Sequence, residues 1–220
     1  MNIMRSISLM NLLLIAHVVF GNQLSQSEYE LRKAMNNLWT EHGMWTRDYI
    51  IAAISESPSQ KSSAARLMKN QDDIGKAIAT YYGTSAGNRL TELLKDHISI
   101  AVKIIQAAKQ NNKSDLDNLN SQWKSNARDI AQFLNYANPN NWKLADLQNM
   151  LYTHLDLTTQ EVVNRLKKDW QADVTNFDKV IAQLRDMGET FATGIVAQFP
   201  NKLGKSMAPK AAARMKRMAR

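Results

Sequence analysis

A chain of 220 residues with 44% apolar content supplies the core of one domain, and eight Gly and four Pro leave few turns between long elements. Cysteine is absent, which excludes disulfides, thiolate metal sites, a cysteine nucleophile and lipidation on cysteine, so any metal would rest on histidine and carboxylate. The net charge of +8 is uneven: residues 1–21 carry only Arg5, residues 201–220 carry seven basic side chains and no acid, and residues 22–200 are neutral.

Residues 1–21 read as a secretory signal. Arg5 precedes an apolar run from Ile7 to Phe20, interrupted by Asn11 and His17, and Val19 and Gly21 offer small residues before a cleavage point. The run is shorter than the roughly 20 residues that span a bilayer, so cleavage is favoured, with an uncleaved membrane anchor as the alternative. The expected organisation is a signal peptide over 1–21, a helical bundle domain over 22–200 and a basic tail over 201–220. The expected location is outside the cytoplasm: periplasm, cell envelope or extracellular space.

The first mature helix spans about 27–55. In it Leu31, Met35, Leu38, His42, Trp45, Tyr49 and Ala52 recur at alternating steps of four and three, the seam spacing of a helix packed lengthwise in a bundle. Ser57-Pro58-Ser59 stops it. A second helix over 64–82 puts Leu67, Ile74, Ile78 and Tyr81 on one face with Gln71 in the same row, and Gly83 caps it.

The third helix, 86–110, repeats the rhythm through Leu90, Leu94, His97, Ala101, Ile104 and Ala108. Asn111-Asn112-Lys113-Ser114 is a polar turn that also holds an N-x-S sequon at Asn112. The fourth, 115–137, turns Leu119, Trp123, Asn126, Ile130 and Phe133 inward and ends at Asn138-Pro139-Asn140. A shorter fifth helix over 144–157 aligns Leu144, Leu147, Leu151 and His154.

Thr158-Thr159-Gln160-Glu161 reads as a capping box that opens a long last helix over 159–199, with Trp170, Phe177, Ile181 and Leu184 inward and Pro200 as its stop. No stretch alternates with period two for long enough to make a strand. The expected class is all-α, an antiparallel bundle of four long helices with one or two shorter ones.

Several pieces carry a resemblance: Leu38-Trp39 with His42 and Trp45-Thr46-Arg47, Asn70-Gln71-Asp72-Asp73-Ile74-Gly75, Tyr81-Tyr82-Gly83, Leu94 with His97, Trp142, Met150 to Leu155, Asp169-Trp170, and Gln198-Phe199-Pro200. In this order, over about 30–200, the chain resembles a family of uncharacterised bacterial-type helical-bundle proteins. Members carry labels such as glycosyltransferase or acetylglutamate kinase, and no α/β nucleotide-binding pattern here supports either. The chain departs from the family pattern at Thr40, where an acid is frequent, and at Ile181, where a further histidine stands.

Three histidines intrude on apolar seams. With about three in seven helix positions facing a core, three of three doing so by chance is roughly one in thirteen. One reading places His42, His97 and His154 in one layer of the bundle, where neutral imidazoles hold a divalent metal ion and Glu41, Asp73, Glu161 or Asp173 completes its shell. The other makes them core histidines satisfied by neighbours such as Gln71, Asn126 or backbone. Gly83-Thr84-Ser85-Ala86-Gly87 matches the hydrolase elbow G-x-S-x-G, but that elbow needs a strand before its serine; Gly83 as C-cap and Ser85 as the next N-cap explain it better.

The tail holds Lys202, Lys205, Lys210, Arg214, Lys216, Arg217 and Arg220, and from about Pro209 onward Ala211, Ala212, Met215, Met218 and Ala219 fall near one helix face. It points to anionic membrane or another polyanion, with nucleic acid behind these because the signal segment leads away from the cytosol. The expected function is therefore an exported, non-enzymatic bundle that binds through its histidine layer or its tail. The alternative is a three-histidine metal-dependent enzyme in which a metal-bound water is the nucleophile.

Overall fold

The computed structural model describes residues 24–204. Six helices follow one another: α1 Gln26–Ile54, α2 Gln60–Tyr82, α3 Thr84–Lys109, α4 Lys113–Ala137, α5 Leu144–Leu166 and α6 Trp170–Gln198. No strand occurs among the described residues. The chain is an all-α bundle. Residues Leu31–Phe199 make one compact unit, and the start of α1 with residues 200–204 belongs to a second, in which the Ser25 hydroxyl donates to the Leu203 carbonyl.

Within the main unit, neighbours in sequence pack antiparallel, as their short connections require. The α2–α3 hairpin turns on Gly83 alone, whose φ of 89° suits glycine; its N–H closes α2 on the Ala79 carbonyl at 2.9 Å. The same glycine precedes α3 directly, so Ser85 lies inside the first turn of α3 rather than capping it. Asn112 caps α4 by accepting from the Asp115 N–H at 3.2 Å. α6 returns along α1: Arg47 meets Asp173, and Gly43 lies against Leu184.

The break between the last two helices falls later than the sequence reading has it. α5 runs through 158–161 to Leu166, so the helix expected to be short is as long as α2. Thr158 is no cap: its hydroxyl donates back to the His154 carbonyl at 2.8 Å inside a continuing helix. The chain turns instead at Lys168, with φ 58°, and Asp169 caps α6 through the Ala172 N–H at 3.1 Å. This places Trp170 at the first position of α6, 53% exposed rather than inward.

Two apolar blocks fill the bundle. Met35, Trp39, Ile74, Leu90, Leu151 and Phe191 belong to one, which encloses only about 10 Å³ of free space. Tyr49, Ile50, Leu67, Ile98, Ile105 and Val162 form the other. Along α1, His42 falls between Trp39 and Tyr49; along α5, His154 falls between Leu151 and Val162. The histidines therefore separate two dry hydrophobic regions.

Candidate functional site

All three histidines are buried, with His42 2% exposed and His97 and His154 each 4%. His154 is the middle ring, its centroid 5.6 Å from His42 and 6.3 Å from His97. Trp39 packs on His42 at 5.8 Å and Trp123 on His97 at 5.1 Å. Separate helices α1, α3 and α5 thus bring their imidazoles to one depth, as the seam spacing predicts.

The partners assign the tautomers. Gln71 Nε2 lies 2.8 Å from the Leu67 carbonyl, to which it donates one hydrogen, and 3.2 Å from both Asn70 Oδ1 and His42 Nδ1, which share the other. An amide nitrogen cannot accept, so His42 Nδ1 does, and the ring proton sits on Nε2. His97 is the opposite case. Asn126 Nδ2 donates to the Leu93 carbonyl at 3.0 Å, which turns Oδ1 toward His97 to accept from Nδ1–H at 2.7 Å. His154 Nδ1 and Gln183 Oε1 are both buried without a hydrogen bond, although Gln183 acts on this ring.

Burial holds all three rings neutral. Desolvation, with His154 and His97 nearby, takes His42 down to about 3 against the opposing pull of Asn70 and Gln71. Desolvation and His154 take His97 to about 3, opposed by Asn126. Desolvation takes His154 to about 4, opposed by Gln183.

The four carboxylates expected to complete a metal shell are engaged elsewhere. Glu41 accepts from Arg66 Nη2 at 2.8 Å, and Asp73 pairs with Lys69 on the surface of α2. Glu161 and Asp173, each 1% exposed, form a quartet with Arg47 and Arg165, neither of which the sequence pattern marks as a partner of these acids. Arg47 reaches Glu161 Oε1 at 2.7 Å and Asp173 Oδ2 at 2.8 Å; Arg165 reaches Asp173 Oδ2 at 2.9 Å. The guanidiniums also cover aromatic faces, Arg47 over Phe177 at 4.4 Å and Arg165 over Trp170 at 5.0 Å.

Within the quartet the two acids diverge. Desolvation raises Glu161 to about 7 despite Arg47. Burial would also raise Asp173, but hydrogen bonds from Arg47 and Arg165 outweigh it and hold the carboxyl below its ordinary value. Among the described residues no group of three or more His, Asp or Glu is arranged to hold a metal ion. The tautomers agree with this, since His42 turns a protonated nitrogen away from Gln71.

Open clefts on other faces include one of about 830 Å³ between α2 and α3 and one of about 370 Å³ between α5 and α6. Neither is lined by a histidine. Of the basic tail, Lys202 is described and exposed; Lys205, Lys210, Arg214, Lys216, Arg217 and Arg220 lie outside the described residues, as does the signal segment over 1–21. No described helix is long and apolar enough to cross a membrane.

No protein-family model, curated protein or solved structure matches the chain. The resemblance to uncharacterised helical-bundle proteins draws no support from these comparisons. The site is therefore read from its own chemistry.

Proposed function

We propose that this protein is an exported, non-catalytic binding protein of the cell envelope, a rigid helical bundle that presents a basic C-terminal segment to an anionic surface. The carrying observation is the charge distribution: residues 22–200 balance to zero, and seven basic residues with no acid follow in 201–220. Such a segment gives salt-sensitive attraction to anionic lipid without selectivity among anions. The signal-like residues 1–21 support a location outside the cytoplasm. The sealed, neutral histidine layer suits a structural role inside the bundle, because each ring is walled off by packing and two are held by amides.

Binding of the purified chain to phosphatidylglycerol vesicles, titrated with salt and repeated without residues 201–220, tests this reading. Binding should weaken steeply with salt and vanish on truncation. Equal binding by both forms would overturn it.

The proximity of the three rings favours a second reading, the three-histidine metal-dependent enzyme. It would require Gln71 to turn so that His42 Nε2 lost its proton, setting the Gln71 carbonyl against the Leu67 carbonyl and Asn70 Oδ1. Stoichiometric metal in the purified protein, lost in His97→Ala, would support its metal site, and absence of metal in the parent would end the enzyme case.

A further inference from the structure

Another cleft, of about 450 Å³, lies on the surface where α5 gives way to α6. Four carboxamides line it: Gln160 and Asn164 from α5, Gln171 and Asn176 from α6. Exposed amides turn freely in water, but two of these are fixed. Asn164 and Asn176 are each only 6% exposed, and each is tied by one half of its amide.

Asn176 Nδ2 donates to the Leu157 carbonyl across the helix interface at 2.9 Å. A carbonyl can only accept, so the Asn176 oxygen must face the other way, and it makes no hydrogen bond among the described residues. Asn164 Oδ1 accepts from Gln160 Nε2 at 2.6 Å, which leaves Asn164 Nδ2 as a donor with no partner among the described residues. Neither free atom is sealed in the core. Each reaches solvent, and the solvent it reaches is the cleft that both residues line.

A fixed donor on α5 and a fixed acceptor on α6 call for a ligand that carries both kinds of group. A hydroxyl is both at once. The rim repeats this character with the Thr175 hydroxyl, 3.5 Å from Gln171 Nε2. The cleft offers little to other classes of ligand. Ala172 is the one apolar residue of its lining, so an apolar molecule finds no surface to bury. Its charged residues are one of each sign, Lys179 and Asp169. Asp169 already sets its own carboxylate on the start of α6, accepting from the Ala172 N–H, which disfavours a second anion there.

We propose that this cleft binds a neutral saccharide, whose ring hydroxyls donate to Asn176 Oδ1 and accept from Asn164 Nδ2. Its volume falls within the roughly 300–1,000 Å³ of small-molecule sites. Water competes at an open cleft without an aromatic wall, so the dissociation constant is on the order of 1 mM. The site uses no residue of the basic segment and stands or falls apart from the membrane reading.

The test follows the side-chain NH₂ signals of Asn164 and Asn176 by NMR in the nitrogen-15-labelled full chain. D-glucose, D-galactose and D-mannose are each added to about 50 mM, well above that constant, with glycerol as the open-chain control. At least one sugar should shift both signals to saturation, and glycerol should not. Thr175→Trp, at an exposed position, fills the cleft without touching the buried amides and should abolish the sugar-dependent shifts. Asn164→Asp keeps the oxygen that Gln160 uses, replaces the free donor with an acceptor, and should weaken binding about tenfold. If Asn164→Asp fails to fold, Thr175→Trp decides. The proposal is overturned if no sugar shifts both signals to saturation, if glycerol acts as the sugars do, or if Thr175→Trp binds like the parent.

Discussion

His42 and Gln71 meet at 3.2 Å in a contact that only one imidazole tautomer can accept. Gln71 cannot turn its oxygen to the ring without facing the Leu67 carbonyl and Asn70 Oδ1, so α2 dictates the proton position on α1. Asn126 dictates the other tautomer on His97. Nitrogen-detected imidazole NMR at pH 6 should show His42 neutral with its proton on Nε2 and His97 neutral with its proton on Nδ1. A free imidazole is mostly charged at that pH. A charged His42 or His97 in the folded chain at pH 6 would contradict the sealed layer.

The pH dependence of folding follows from the same burial. The three histidines are lowered in the folded state, so the unfolded chain binds protons first; their stabilisation is complete above pH 6.5 and is lost as pH falls toward 3. Between pH 7 and 5 the loss is about 2 kcal/mol per ring, about 6 in all. Glu161 works the other way: raised to about 7, it binds a proton in the folded state first and returns about 2 kcal/mol over that range. Urea unfolding should therefore show stability falling by about 4 kcal/mol from pH 7 to pH 5. Constant or rising stability would show that the rings are not neutral in the fold.

The quartet predicts unequal effects for its two acids. Asp173 serves both arginines, and Asp173→Asn leaves two partly buried guanidiniums short of a counter-charge, a loss of about 3 kcal/mol or more. Glu161 bonds Arg47 alone and is disfavoured as an anion, so Glu161→Gln should cost much less at pH 8 than at pH 5. Denaturation midpoints at both pH values check this. Equal losses for the two variants at pH 8 would mean that the arginines lean on both acids alike.

The histidine layer was legible because a four-three rhythm reports which positions face inward whatever the residue type. The same rhythm, followed through His154, Thr158 and Glu161, marks one continuous polar stripe and therefore an unbroken α5. A capping-box pattern overrode it, since Thr-x-x-Glu has the same letters at a helix start and inside one. What separates them is whether backbone N–H groups are free, and here they are already paired. Arg47 and Arg165 were not legible as partners of Asp173. Arg47 stands midway between the seam residues Trp45 and Tyr49, two positions from each, and reaches inward by its length, and a pair 126 residues apart leaves no periodic trace. The late break at Lys168 had one local signal, Asp169 three residues before Ala172, which the hydrophobic Trp170 masked.

The closest helix contact on the α2–α3 side rests on two glycines. A Cβ on Gly75 would collide with the Thr91 hydroxyl and come within 2.7 Å of the Gly87 carbonyl, and one on Gly87 would stand 2.5 Å from the Gly75 carbonyl. Backbone cannot yield as a flexible side chain does, so α2 and α3 would have to move apart. Gly75→Ala, which improves helix propensity on its own, should nevertheless destabilise the chain by about 2 kcal/mol through overpacking. Thr91→Ala removes only the hydroxyl from that contact, so adding it to Gly75→Ala should recover part of the loss and leave the clash with the Gly87 backbone. Thermal unfolding of the two single variants and the pair separates these terms. A Gly75→Ala chain as stable as the parent would mean that the helices are not in backbone contact here.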